Sequence, residues 1–114
     1  MPHFIIDCSP NILDQHPPET ILEAVYNAAE ETGLFRKGDV KVRLQPFAHY
    51  KLGEGKSAFI HVFAHIMQGR TTEQKASLSR NVVAALNRLF PDIPILSMNV
   101  RDFEKATYFN KTML

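Results

Sequence analysis

The chain has 114 residues, 45% hydrophobic and 22% charged, with 13 basic against 12 acidic side chains and a formal charge of +1. That length and composition predict one globular domain, residues 1–114, and the near-neutral balance argues against nucleic acid or a membrane surface as a partner. The single cysteine, Cys8, allows no internal disulfide, and no apolar run approaches the roughly 18–20 residues of a membrane span or follows a charged leader, so a cytoplasmic protein is expected.

The chain opens M-P-H-F-I-I-D. Aminopeptidases usually remove Met1 before a residue as small as proline, which leaves Pro2 with a free secondary amine. Phe4-Ile5-Ile6 directly after it reads as a buried strand, so the amine should be held by a sheet rather than left in solvent. An α-amino group starts near a pKa of about 8, and desolvation or nearby cations would bring it toward neutral, where a general base works best. If Met1 stays, the Pro2 nitrogen is an amide and no base. The bland reading is that Pro after Met is simply common at chain starts.

Cys8 to Asn11 interrupts the apolar run, and His16-Pro17-Pro18 cannot continue a ladder, so a loop is expected there. From Pro18 the spacing of Ile21, Leu22, Val25, Ala28 and Ala29 predicts a helix ending before Gly33, with Glu19, Glu23, Glu30 and Glu31 on a solvated face. Val40 to Leu44 alternates as a strand with Arg43 facing away from the core. Gln45 to Lys56, with Pro46 and two glycines, reads as a loop, with room for a short hairpin. Ala58 to Met67 is a longer strand, apolar on both faces and hence central or at a subunit contact.

Thr71 followed by Gln74 has the form of a capping box, and a helix with Leu78, Val82, Val83, Ala85, Leu86 and Leu89 inside should run from there to Pro91. A last strand from Ile95 to about Phe103 precedes a polar tail. The two halves, about 2–56 and 57–114, thus repeat strand, helix, strand, and a period near 55 lays Phe4-Ile5 on Phe59-Ile60. Two right-handed β-α-β units give an α+β (α/β) fold, a four-stranded sheet with both helices on one face. With no third helix to cover the other face, the sheet should pack on further copies of the chain.

The opening P-H-F-I-I-D-C-S at Pro2 to Ser9, the length, and Gly69-Arg70 with Thr71 before the second helix resemble the tautomerase superfamily, most of all its 5-carboxymethyl-2-hydroxymuconate isomerase family. Gly69 to Lys75 also resembles a turn of the shorter 4-oxalocrotonate tautomerase. The resemblance covers the whole chain. It implies a cofactor-free keto-enol isomerase of aromatic catabolism, in homoprotocatechuate degradation, assembled as a homotrimer with sites at subunit contacts. It further implies Pro2 as acid and base, no metal, and an unsaturated carboxylate substrate held by cations.

Arg70 is the first candidate to hold that substrate, because a guanidinium fork pairs with a carboxylate and a helix amino terminus follows it. Arg43 matches a family arginine if Val42-Arg43-Leu44 is aligned with that motif, and otherwise is a surface strand residue. Arg101 depends on sliding the last strand by two residues, since the repeat sets Asn99 opposite Arg43. Zinc at His61 and His65 with His3 or His49 has no supporting spacing motif, and hydrogen-bonded interface histidines are the simpler reading. Cys8 reads as a small buried side chain. Ser9 would approach Pro2 only if the strand end folded back, and Tyr50, Tyr108 and Phe109 are candidates for a pocket wall or for subunit contacts. Two other functions stay open: a hydratase or dehalogenase of the same superfamily, and a binding or signalling protein like migration-inhibitory factor.

Overall fold

The computed structural model describes all 114 residues, Met1–Leu114. The chain folds into β1 (His3–Cys8), α1 (Pro18–Glu31), β2 (Lys41–Pro46), β3 (Phe59–Met67), α2 (Thr72–Leu89) and β4 (Ile95–Phe103), with short 3-10 turns at Pro10–Asp14, Lys105–Thr107 and Lys111–Met113. The strands form one sheet in the order β2-β1-β3-β4. Each half pairs its own strands in parallel, β1 with β2 and β3 with β4, and the halves meet where β1 and β3 run antiparallel. Both parallel pairs are bridged by a helix, as a crossover connection requires.

Alternation along the strands decides which face is covered. Phe4, Ile6 and Cys8 on β1 and Ile60, Val62, Ala64 and Ile66 on β3 are buried, and they join Ile21, Val25, Leu78, Val82 and Leu86 of the helices in one cluster drawn from both halves. Removing a side chain of the Leu or Ile class from water contributes about 1.5–3 kcal/mol, so this shared layer holds the two halves together. The helices also touch through a polar link, Asn81 Nδ2 donating to the Ala28 carbonyl at 2.7 Å.

Local chemistry sets the helix ends. The Thr71 hydroxyl accepts from the Gln74 amide at 3.1 Å and the Gln74 side chain accepts from the Thr71 amide at 2.9 Å, so the capping box is complete. At the other end α2 stops before Phe90 and Pro91. α1 begins with Pro18 at its first turn and ends where Gly33 takes φ +69°, a left-handed conformation that other residues resist.

The structure decides two points the sequence left open, the hairpin and the position of Ser9, and changes one expectation, the repeat offset. Gln45 to Lys56 contains no hairpin: β2 runs on to Pro46 and turns lead to β3. The repeat offset of 55 sets core-facing Phe4 on Phe59, whose side of β3 is the open one. An even offset keeps the faces aligned, and 56 lays Arg43 on Asn99; the two occupy one row, Arg43-Ile5-Phe63-Asn99, across the open face. Ser9 does not fold back. It is fully buried at the far end of β1 from Pro2, where its amide donates to the Phe59 carbonyl and its hydroxyl accepts from the Phe59 amide, each at 3.1 Å.

Candidate active site

β1 and β2 set the position of the chain start. Pro2 is buried, and its carbonyl accepts a hydrogen bond from the Lys41 amide at 3.1 Å, which extends the parallel ladder one residue beyond His3. The same register brings the Lys41 side chain to the terminus, with its ammonium 3.5 Å from the Met1 sulfur and donating to the Asp39 carbonyl at 2.8 Å. Met1 then sits at a cleft of about 760 Å³ lined among others by Phe35, Arg36, Asp39, Met67 and Arg70, and by residues of the C-terminal segment.

Arg70 reaches this place because β3 ends beneath it and α2 begins just after it. Its guanidinium donates to the Leu34 carbonyl at 2.7 Å and to the Met67 carbonyl at 3.2 Å, and lies 5.1 Å above the centre of the Phe35 ring. A guanidinium has five N-H donors, so two backbone bonds leave three for a ligand. Phe35 in turn packs edge-on against Phe4 of the core, which ties the cation to the rigid layer.

The local field at the terminus follows from these neighbours. The Met1 amine is held below its ordinary value of 8.0, chiefly by burial. Asp39 opposes that shift, while Lys41, Arg70 and Arg36 reinforce it. An amine there is therefore biased toward its neutral, proton-accepting form.

The other expected residues fall elsewhere. Arg43 is exposed on the open sheet face, one row further along β2, and donates to His3 Nδ1 at 3.3 Å. Arg101 is exposed on β4 beside His65. Neither lines the cleft of its own chain. Tyr108 does line it, whereas Phe109 is exposed and Tyr50 donates to the Ser57 carbonyl at 2.9 Å at the far end of the sheet.

His61 is fully engaged. Its Nε2 meets Asn99 Oδ1 at 2.6 Å and its Nδ1 meets the Ser97 hydroxyl at 2.7 Å, so a ring protonated at Nε2 satisfies both. No group of three or more His, Cys, Asp or Glu side chains converges as a metal site would require. Cys8 is buried and its thiol is pushed up to about 11, first by desolvation and then by Asp7. Sequence reasoning missed Lys41 and Arg36. Lys41 could have been found from strand parity, since it shares Arg43's face and lies one step nearer the start of β2; Arg36 comes from a turn with no pattern to mark it.

Residues 2–114 match the family model described as 5-carboxymethyl-2-hydroxymuconate isomerase. No curated protein sequence matches the chain. Among solved structures, the chain is similar to a 5-carboxymethyl-2-hydroxymuconate isomerase from Deinococcus radiodurans R1, with a TM-score of 0.81 at 23% identity, over 96% of this chain and 88% of the other. It is also similar to a 5-carboxymethyl-2-hydroxymuconate delta-isomerase, with a TM-score of 0.74 at 19% identity over 97% and 87%. A fused 4-OT wild-type symmetric trimer gives 0.80 at 12% identity over 96% and 94%. At these identities the likeness is one of fold. No helix is long and apolar enough to cross a membrane.

Proposed function

Because the chain belongs to the 5-carboxymethyl-2-hydroxymuconate isomerase family, we propose that it is a cofactor-independent keto-enol isomerase of an unsaturated di- or tricarboxylate in aromatic-compound catabolism. The whole chain, as one domain, serves a single reacting nitrogen, that of Pro2 after removal of Met1. The observation that carries this reading is the burial of Pro2 at the start of β1, beside a cleft lined by Arg36 and Arg70 and with Lys41 against Met1, where burial first and these cations after it lower the basicity of a terminal amine.

The chemistry follows from that placement. The neutral Pro2 nitrogen takes the proton of the dienol hydroxyl. The oxygen lone pair becomes the ketone, the conjugated double bonds shift along the chain, and the proton returns from nitrogen to the distant carbon. Neither oxidant nor reductant is consumed. The cations stabilise the dienolate formed between the two transfers and hold the carboxylates, an electrostatic role suited to donors already fixed by the fold. Arg70 is assigned to a carboxylate through its three remaining N-H groups, and Lys41 to the charge that develops near Pro2.

The same reading includes a homotrimer. The sheet face away from the helices leaves Ile5, Phe59, Phe63, Met67 and Phe103 only half-buried, and a second copy is the cover that the single chain lacks. The structural likeness to a symmetric trimer supports that stoichiometry. In a trimer Arg43 and Arg101, which lie outside their own cleft, are available to a neighbour's.

Ultraviolet monitoring of a 2-hydroxymuconate dienol with Met1-processed protein tests the proposal. Acceleration over buffer that vanishes in Pro2→Ala is the expected result. A response to phenylenolpyruvate alone favours the signalling-type reading, and release of halide or hydration of an acetylenic acid favours the other superfamily chemistries. Sedimentation equilibrium at three times the chain mass is expected for the assembly.

A further inference from the structure

Half of the residues around the cleft come from the last ten of the chain, Lys105, Tyr108, Asn110, Lys111, Thr112 and Met113. They form a separate wall, which α1, β3 and the loops that carry Arg36 and Arg70 do not supply. Two hydrogen bonds fix where it starts: the Gln68 amide donates to the Phe103 carbonyl at 3.0 Å, and the Gln68 side chain accepts from the Lys105 amide at 2.8 Å. Tyr108 then lies against Phe103, with ring centres 5.4 Å apart. Beyond that point the hydrogen bonds are internal to the segment, with Asn110 capping the second turn through the Thr112 amide at 3.0 Å.

Neither lysine of this wall forms an ion pair. Lys105 and Lys111 each open one of its two 3-10 turns. The chain's one ion pair is Lys75 with Asp102, so neither wall lysine is matched by a carboxylate, and Asp39 is the only acidic residue among those lining the cleft. Two unpaired ammonium groups on one wall, added to Arg36 and Arg70 at the other contributing segments, exceed what a single carboxylate needs.

We propose that Lys105 and Lys111 form a second carboxylate subsite, which makes the cleft select dicarboxylates over monocarboxylates of the same carbon skeleton. The proposal deepens the isomerase reading and rests on it for the position of the reacting end of the ligand. The ligand's near carboxylate meets Arg70, its far one meets the lysine pair, and the Tyr108 ring supplies the apolar wall between polar ends.

Two unreactive six-carbon dienes isolate the effect: trans,trans-muconate, with a carboxylate at each end, and sorbate, with one. Calorimetric titration of Met1-processed protein is expected to give muconate an affinity roughly tenfold or more above that of sorbate. The K105Q/K111Q double variant is expected to lose that preference, and the K105R/K111R variant to restore it, since charge rather than ammonium shape is required. Equal binding of the two acids by the unaltered chain overturns the proposal, as does a preference that survives in K105Q/K111Q. Turnover of a 2-hydroxymuconate dienol, measured alongside, separates the two readings. A muconate preference without turnover removes the Pro2 chemistry and leaves the lysine subsite; turnover with a preference insensitive to both lysines removes the subsite and leaves Pro2.

Discussion

Arg70 donates to the Leu34 carbonyl across 36 positions of sequence, at 2.7 Å. The bond joins the turn ahead of α2 to the turn that follows α1, so the side chain proposed to hold a carboxylate is also a strut between the two halves. Those two roles can be measured apart.

Replacing Arg70 by alanine removes a cation that depresses the basicity of the chain start. The acid limb of the pH-rate profile is therefore expected to move to higher pH, and turnover to fall on the order of a hundredfold, as when one fixed electrostatic donor is lost from a site. Stability is expected to drop by about 1 kcal/mol as the Leu34 and Met67 carbonyls lose their donor. A limb that moves to lower pH would contradict the assignment.

Retention of Met1 turns the Pro2 nitrogen into an amide. Protein whose intact mass includes Met1 is expected to show no catalysed tautomerisation, and processed protein full activity, in proportion to the processed fraction across mixed preparations. Activity that is independent of that fraction would mean that Pro2 is not the proton carrier.

His3 titrates below its ordinary 6.5, first because it is partly desolvated and then because Arg43, Lys41, the chain terminus and His65 all oppose a further positive charge. The unfolded chain therefore binds the proton more readily than the folded one, so this residue's contribution to stability is present above pH 6.5 and is lost as pH falls below it. Arg43→Ala is expected to raise the His3 value in a proton NMR titration and to soften the loss of thermal stability between neutral and mildly acidic pH. An unchanged His3 titration would mean that Arg43 does not act on the ring.

Cys8 is fully buried and its thiol is raised to about 11, so almost no thiolate exists near pH 8. Native protein is expected to resist iodoacetamide, and protein in denaturant to react at the rate of a free thiol. Rapid native labelling would show that β1 opens locally.

The features that were legible before folding are those whose cause is local. Thr71 and Gln74 satisfy each other within one turn, Pro18 and Gly33 bracket α1 by backbone preference, and strand parity sets Arg43 on the face away from the core. Arg70 could be picked out because the helix start that positions it is adjacent in sequence. Lys41 could not be ranked above Arg43 by the same means: both share a face, and only the hydrogen bond from the Lys41 amide to the Pro2 carbonyl, a pairing of residues 39 apart, sets which row meets the terminus. Lys105 and Lys111 were hidden for a related reason. Their tail has no periodicity, and the bonds that start its path over the cleft come from Gln68, after β3 and 37 positions from Lys105.

The Pro2 carbonyl is already committed to the Lys41 amide, and the pyrrolidine ring leaves its nitrogen no side-chain torsion to turn. As the proposed base, this nitrogen could not swing between donor and acceptor atoms as a histidine or glutamate can. On the proposed chemistry a substrate must bring both ends of the proton transfer within reach of that one fixed point, which sets a requirement on its curvature.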